Sequence, residues 1–321
     1  SLNYDAFGDL LNINTIVIPA DTGTVVETDT TAEVVDGTGT SAAAESLSFQ
    51  RSGIIDVAWA QEPYRTFWAV RSDGLLLGCT YRRDQQVLAW HRHPMNNAAI
   101  ESVCVIPDAT TGQAQIWMTV QRVINGETVR YIEYMTTPHE LADDTDTEDY
   151  MFLDSALTYS GAAATVISGL DHLEGQTVQI WADGIRHDDK TVASGSITLD
   201  RSASKVHVGL HTASYIVTLP IEAGVANGTA QGKTKRVSRV RPRFIETIGG
   251  KAGLDLTNLD DILIRQSGDA MDTTPKLQSG VTEPVNFGTR SDREGQYLIV
   301  QDFPAPMTIV SLTAEVDGSD Y

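Results

Sequence analysis

From residue 49 to residue 135 the chain alternates short runs of β-branched and aromatic residues with turn signals. Phe67-Trp68-Ala69-Val70-Arg71 is followed by Ser72-Asp73-Gly74, then by a second apolar run over 75–81. Two apolar runs around Asp-Gly are a strong short-range signal for a β-hairpin. The form recurs in the apolar run 116–123, Asn125-Gly126 and the alternating run 129–134, with further strand-like runs at 87–90 and 103–106. The two hairpins lie about 50 residues apart, a spacing compatible with four-stranded propeller blades. Two such units are too few to close a propeller alone.

A second β-rich region follows at 165–219. Asp183-Gly184 and Ser194-Gly195 mark turns in it, and 178–181, 195–199 and 206–209 read as strands. Their short spacing predicts a small barrel or sandwich. Near the C-terminus, 295–316 reads as two strands around Phe303-Pro304-Ala305-Pro306. Helical periodicity is weak everywhere, with 254–265 the one candidate. Before residue 49 only 14–19 and 24–27 look like strands, and 36–44 reads as a connector. The fold class expected is therefore all-β: a partial β-propeller-like body with an added small β-barrel or sandwich domain. The expected divisions are an extended N-terminal segment (1–48), the body (49–155), the small β domain (156–225) and a C-terminal β region returning to the body (226–321).

Charge changes the picture of partners. The net charge is -20, from 43 acidic and 23 basic residues. Such a surface repels nucleic acid backbones, although it suits a wall past which DNA slides. No apolar run approaches the length of a membrane-spanning helix. The first residues show neither a basic region nor an apolar core of a secretory signal. The chain begins at Ser1, so a fragment or processed product is expected. Two cysteines are too few for a disulfide framework. Cys79 and Cys104 both lie in apolar runs and are expected as buried free thiols.

Candidate chemistry is sparse. His91 and His93 share a strand face and could begin a zinc site, but no spacing brings His139, His172, His187, His207 or His211 to them. Asp144, Asp146, Glu148 and Asp149 lack the glycine and the final acid of a calcium loop, so 139–154 reads as a solvated acidic loop. Neither Gly-x-Ser-x-Gly nor a phosphate-binding glycine loop occurs. No catalytic residue, metal or cofactor is expected. The most unusual feature is basic: Lys233, Lys235, Arg236, Arg239, Arg241 and Arg243. Five of the six have odd numbers and would line one face of a strand. In so acidic a protein this stripe should seek carboxylates, in the chain or on another subunit, and 140–154 is the candidate complement. It is the candidate subunit interface; nucleic acid is the rival partner, disfavoured because aromatic interleaving is nearly absent.

Several motifs carry a family resemblance. In order they are Ile55-Asp-Val-Ala-Trp-Ala-Gln-Glu-Pro63, Trp68-Ala-Val-Arg-Ser-Asp-Gly74, Thr80-Tyr81 and Ala89-Trp-His-Arg-His93. Then come 103–107, 120–133, Gly169-Leu-Asp-His-Leu-Glu-Gly175, Lys205-Val-His-Val-Gly209 and Gly228-Thr-Ala-Gln-Gly-Lys233. This order resembles the tail nozzle, or tail tubular, proteins of short-tailed bacteriophages, often labelled as containing a ubiquitin-activating-enzyme FCCH-like domain. The resemblance runs from about Phe49 to the C-terminus, and the large N-terminal portion of full family members has no clear counterpart. It implies a structural virion protein without catalysis, assembled in the host cytoplasm into the tail. The subunit would join a homo-oligomeric ring, a hexamer, that forms a conduit for DNA ejection and contacts adaptor and fibre proteins. Ubiquitin chemistry is not implied, since neither a nucleotide site nor a nucleophilic cysteine is recognisable. The alternatives are a tail fibre or adhesin module binding a host glycan, with Trp181 and Tyr215 as candidate exposed aromatics, and a tail depolymerase.

Overall fold

The computed structural model describes residues 24–27, 49–109, 112–136, 147–222, 233–262, 265, 273–288 and 291–318. The expected strand at 14–19, the connector at 36–44 and most of the acidic loop lie outside these. The described chain is almost entirely antiparallel β-structure, as its alternating pattern requires, and it divides into two compact units, Ser1–Thr136 and Thr137–Tyr321.

In the first unit β1 (Thr24–Glu27) pairs with β2 (Phe49–Ser52). Then β3 (Ile54–Ala60), β4 (Thr66–Arg71), β5 (Leu76–Arg82) and β6 (Val87–His93) form a four-stranded meander. β7 (Ala98–Pro107), β8 (Ala114–Ile124) and β9 (Glu127–Tyr134) form a three-stranded one. Successive residues point to opposite faces. Ala60, Trp68, Val70 and Leu76 of the first sheet therefore meet Ile100, Val103, Met118 and Val120 of the second in one core. Asp56 fastens the two sheets by accepting the Val103 amide at 2.9 Å. Asn125 and Gly126, with φ of 50° and 80°, make the tight β8–β9 turn that this residue pair favours.

The outward faces of both sheets are also apolar. Ile55, Val57 and Trp59 are exposed on β3; Ile106, Val123, Ile132 and Tyr134 are exposed on the other sheet. Cys104 lies on that outward face and is exposed, against expectation, because its register opposite Trp117 points it away from the core. Cys79 is buried as expected.

The second unit opens with a 3-10 turn, Thr147–Asp149. β10 (Asp154–Ser168), β11 (Thr177–Ala182), β12 (Ile185–Thr191) and β13 (Ser196–Leu210) follow, in the order β10-β13-β11-β12. This sheet is open; no sheet of the described chain closes into a barrel, so the barrel expectation fails. Bulges bend the long β10–β13 pair instead of a further strand closing it. The next strands are β14 (Ser214–Val217), β15 (Lys235–Thr247), β16 (Lys251–Asp255), β17 (Asn258–Asp261), β18 (Gln278–Val281), β19 (Val285–Asn286), β20 (Leu298–Gln301) and β21 (Thr308–Gly318). They form two sheets: β14-β20-β16-β17, and a second with β15 central between β21 and the short β18 and β19. Val237, Val240 and Phe244 pack against Ala252, Tyr297 and Ile299 to make the core between them. Trp181 joins the first sheet to this sandwich by packing with Ile248, Phe303 and Ala305.

The helix considered at 254–265 is instead the β16–β17 hairpin and its exit. The Asp255 carboxylate accepts the amides of Thr257 and Asn258, each at 2.9 Å, and closes a turn where a helix would have continued.

Candidate functional site

The basic stripe lies on and just before β15, and its faces are not those that simple alternation predicts. Lys235 pairs with Gly318 and Val237 with Val316, but Arg239 pairs with Glu315. Ser238 is thus an extra residue, a β-bulge that shifts the alternation by one. Lys235 consequently faces inward, 4 % exposed, with its Nζ donating to the Arg293 carbonyl at 3.1 Å. Val237, Val240, Pro242 and Phe244 also face inward. Arg236 joins Arg239, Arg241 and Arg243 on the outward face. The odd-numbered stripe is therefore corrected: Lys235 leaves it and Arg236 enters it. Lys233 precedes the strand.

A proline in a central strand normally leaves a gap in the ladder. Pro242 is tolerated because its neighbour is interrupted there. β18 ends at Val281 and β19 begins at Val285, and between them Thr282 donates both its amide and its hydroxyl to the Pro242 carbonyl.

On the outward face Arg236 lies opposite Asp317 and Arg239 opposite Glu315, with Arg239 Nε 2.9 Å from Glu315 Oε2. Arg241 faces Thr313 and Arg243 faces Ser311. Among the described residues neither has an ion-pair partner. Four arginines thus meet two acids, leaving the face positive in an otherwise acidic molecule. Of the acidic stretch considered as its complement, 137–146 lie outside the described residues. Two of its described carboxylates are already engaged within the second unit: Asp149 pairs with Lys205, and Asp154 accepts the Thr212 hydroxyl.

The histidine pair shares a face, as its spacing requires, but its nitrogens are turned to each other. His91 Nδ1 lies 2.7 Å from His93 Nε2, and His91 Nε2 lies 3.2 Å from Thr80 Oγ1. Trp68 packs against both rings. Gly78 leaves the space the His91 ring fills; a side chain there would collide with it. Burial, reinforced by His91, pulls the His93 pKa down to about 4, and burial lowers that of His91 as well. Among the described residues no third histidine, cysteine or carboxylate completes a metal-binding group.

Trp181 is 1 % exposed and donates its indole N–H to the Thr147 carbonyl at 2.8 Å, so it is a core residue and not a glycan platform. Tyr215 is exposed. Two features were missed in the residue pattern. One is the buried ion pair of Arg122 and Glu133 in the first unit. The other is the exposed apolar strand β14, for which the uncharged run 212–219 was the available clue.

No protein-family model matches the chain, and a search of curated proteins finds no match.

Proposed function

We propose that this chain is a non-enzymatic structural subunit of a bacteriophage tail, of the nozzle type, which acts by assembling into a ring-shaped conduit for DNA. The observation that carries this reading is the stacking in the first unit. Two successive antiparallel meanders pack face to face and keep an apolar surface on each outer side. Large exposed apolar faces are unusual on a monomer and mark contact surfaces. Sheets apolar on both sides are what a stack of blades requires. The ordered motifs between Ile55 and Lys233 supply the family reading.

The arginine face supplies a place for subunit contact. A ring brings one patch of a subunit against a different patch of its neighbour. A positive face on an acidic chain suits such a heterologous contact. Arg239 is already engaged with Glu315, so Arg241 and Arg243 are the residues open to a neighbour.

Native mass spectrometry and negative-stain electron microscopy of the purified chain test the reading. Rings are expected, six copies on the family reading. Arg241→Glu with Arg243→Glu should lower ring yield at least tenfold while leaving the fold intact. Wild-type protein that forms no ring, together with an antibody to the chain that fails to label phage tails, overturns it.

A further inference from the structure

β14 is an edge strand, and its exposure differs from that of the opposite edge of its own sheet. Tyr215, Ile216 and Val217 are 52 %, 53 % and 48 % exposed, so apolar side chains on both faces of the strand meet water. At the other edge β17 presents Asp260 and Asp261, the usual protection against edge-to-edge pairing. β14 has no such charge. No residue from Thr212 to Leu219 is charged, in a chain whose net charge is -20.

The hydrogen-bond phase of β14 follows from its partner. Thr218 donates its amide to the Tyr297 carbonyl at 3.0 Å, and Val217 lies opposite Leu298. Hydrogen-bonded pairs alternate in an antiparallel ladder, so Thr218, Ile216 and Ser214 direct their amide and carbonyl groups towards β20. The backbone groups of Tyr215 and Val217 point to the open edge. Outside the β14–β20 pairing neither makes a backbone hydrogen bond among the described residues.

We infer that β14 pairs with β14 of a second copy, antiparallel and centred on Ile216. With that centre Tyr215 faces Val217 of the other copy, and Val217 faces its Tyr215. These are the residues with free amides and carbonyls, so each pair exchanges two hydrogen bonds, while the two Ile216 residues form the intervening non-hydrogen-bonded pair. The strand is thus complementary to itself in phase. It also sets an aromatic ring beside a β-branched side chain across the seam, a favourable cross-strand pair. Two molecules of high like charge meet most easily at an uncharged segment, whereas a β17–β17 pairing would set aspartates against aspartates. The contact is two-fold and lies in the sheet that does not contain β15. It goes beyond the ring reading and does not depend on it. Its area is below the ~1,000 Å² of a stable interface, so the dimer is reversible.

Sedimentation velocity of the full chain from about 1 µM to about 200 µM, a range suited to so small an interface, tests the inference. In the Arg241→Glu, Arg243→Glu background, where rings are absent, the chain should shift from monomer to dimer. Val217→Pro should abolish the shift, because it deletes a donor on the open edge and none in the β14–β20 ladder; Tyr215→Lys should do the same by adding charge. Both variants should keep the wild-type circular dichroism and melting temperature. In a Cys104→Ser background, Ile216→Cys should give a covalent dimer on oxidation, since Cα atoms of a non-hydrogen-bonded pair approach to ~4.5 Å. A ring-deficient chain that stays monomeric throughout, even if it accepts a foreign peptide, overturns the inference. So does a dimer that survives Val217→Pro, or the absence of the cross-link. Rings formed by the Val217→Pro protein leave the tail reading standing, and rings lost only on arginine reversal do not touch β14.

Discussion

The chain holds the same ion pair in two settings. In the first unit Arg122 lies on the core side of β8 and reaches Glu133 with two nitrogens, Nε at 2.7 Å and the terminal nitrogen at 2.8 Å. Their side chains are 0 % and 13 % exposed. In the second unit Arg239 meets Glu315 at 2.9 Å, with side chains 39 % and 51 % exposed. Residue types, strand context and distance are nearly the same; water is the difference. The dry pair is locked into its own sheet, and Arg122 also reaches the Asn96 carbonyl. The wet pair is open to water and sits beside two arginines with no ion-pair partner among the described residues. Charge inside the first unit is thus structural, and charge on the outward face of β15 is available to a neighbour.

The largest effect should come from breaking the dry pair. Arg122→Ala leaves the Glu133 carboxylate nearly buried and uncompensated, and should cost about 3–5 kcal/mol in urea unfolding of the first unit. Replacing both partners, Arg122→Met with Glu133→Leu, should recover most of that loss, because the desolvation penalty disappears with the charges. If the double variant is as unstable as the single one, the pair does more than neutralise itself.

The second test asks whether the same interior tolerates an unpaired charge. His93 titrates at about 4 in the folded chain, below the 6.5 of an exposed histidine. The unfolded state therefore binds a proton first as pH falls. The stability contributed by neutral His93 is complete above pH 6.5, declines between 6.5 and about 4, and is flat below. Allowing for its partial exposure, the total is about 2 kcal/mol. Other histidines and several carboxylates titrate in the same direction, so the measurement is a difference: His93→Gln should flatten the loss of melting temperature between pH 7 and pH 4.5 relative to wild type. Equal losses would place the acid sensitivity elsewhere.

The smallest effect should be at the wet pair. Arg239→Ala should cost at most about 1 kcal/mol, and less in high salt. A cost comparable with that of Arg122→Ala would mean that the outward face is not solvent-accessible in the protein measured, as in a stable assembly.

Much of the fold was legible because short-range chemistry dictated it. Asp73-Gly74, Asn125-Gly126, Asp183-Gly184 and Ser194-Gly195 are turns since few other pairs accept the backbone angles that tight hairpins impose. Long-range choices left weaker traces. Nothing in the run 212–219 names β20 as its partner, more than 80 residues later. Cys104 sits in a run apolar on both faces, so alternation could not tell inside from outside. The stripe on β15 was half legible: its residues were evident, but an odd-even count fails wherever an extra residue enters a strand, and Ser238 is of no unusual type. The 254–265 segment misled because its apolar spacing is also compatible with a hairpin, and the deciding group was the Asp255 side chain at the turn.

That extra residue has a counterpart. Val310 is unpaired on β21 as Ser238 is on β15, so the register lost at one point is restored at the other. The two strands run in step at both ends and out of step by one residue over Arg239–Arg243. The orientation of this window is therefore set by the one-residue insertion at Ser238 and not by the arginines within it. Point substitutions in the window can change what the molecule shows to a neighbour without touching the core. Loss of Ser238 would do the opposite, turning arginines inward and valine and phenylalanine outward, whereas loss of Val310 would act on β21. This strand should drift freely by replacement and hardly at all by length.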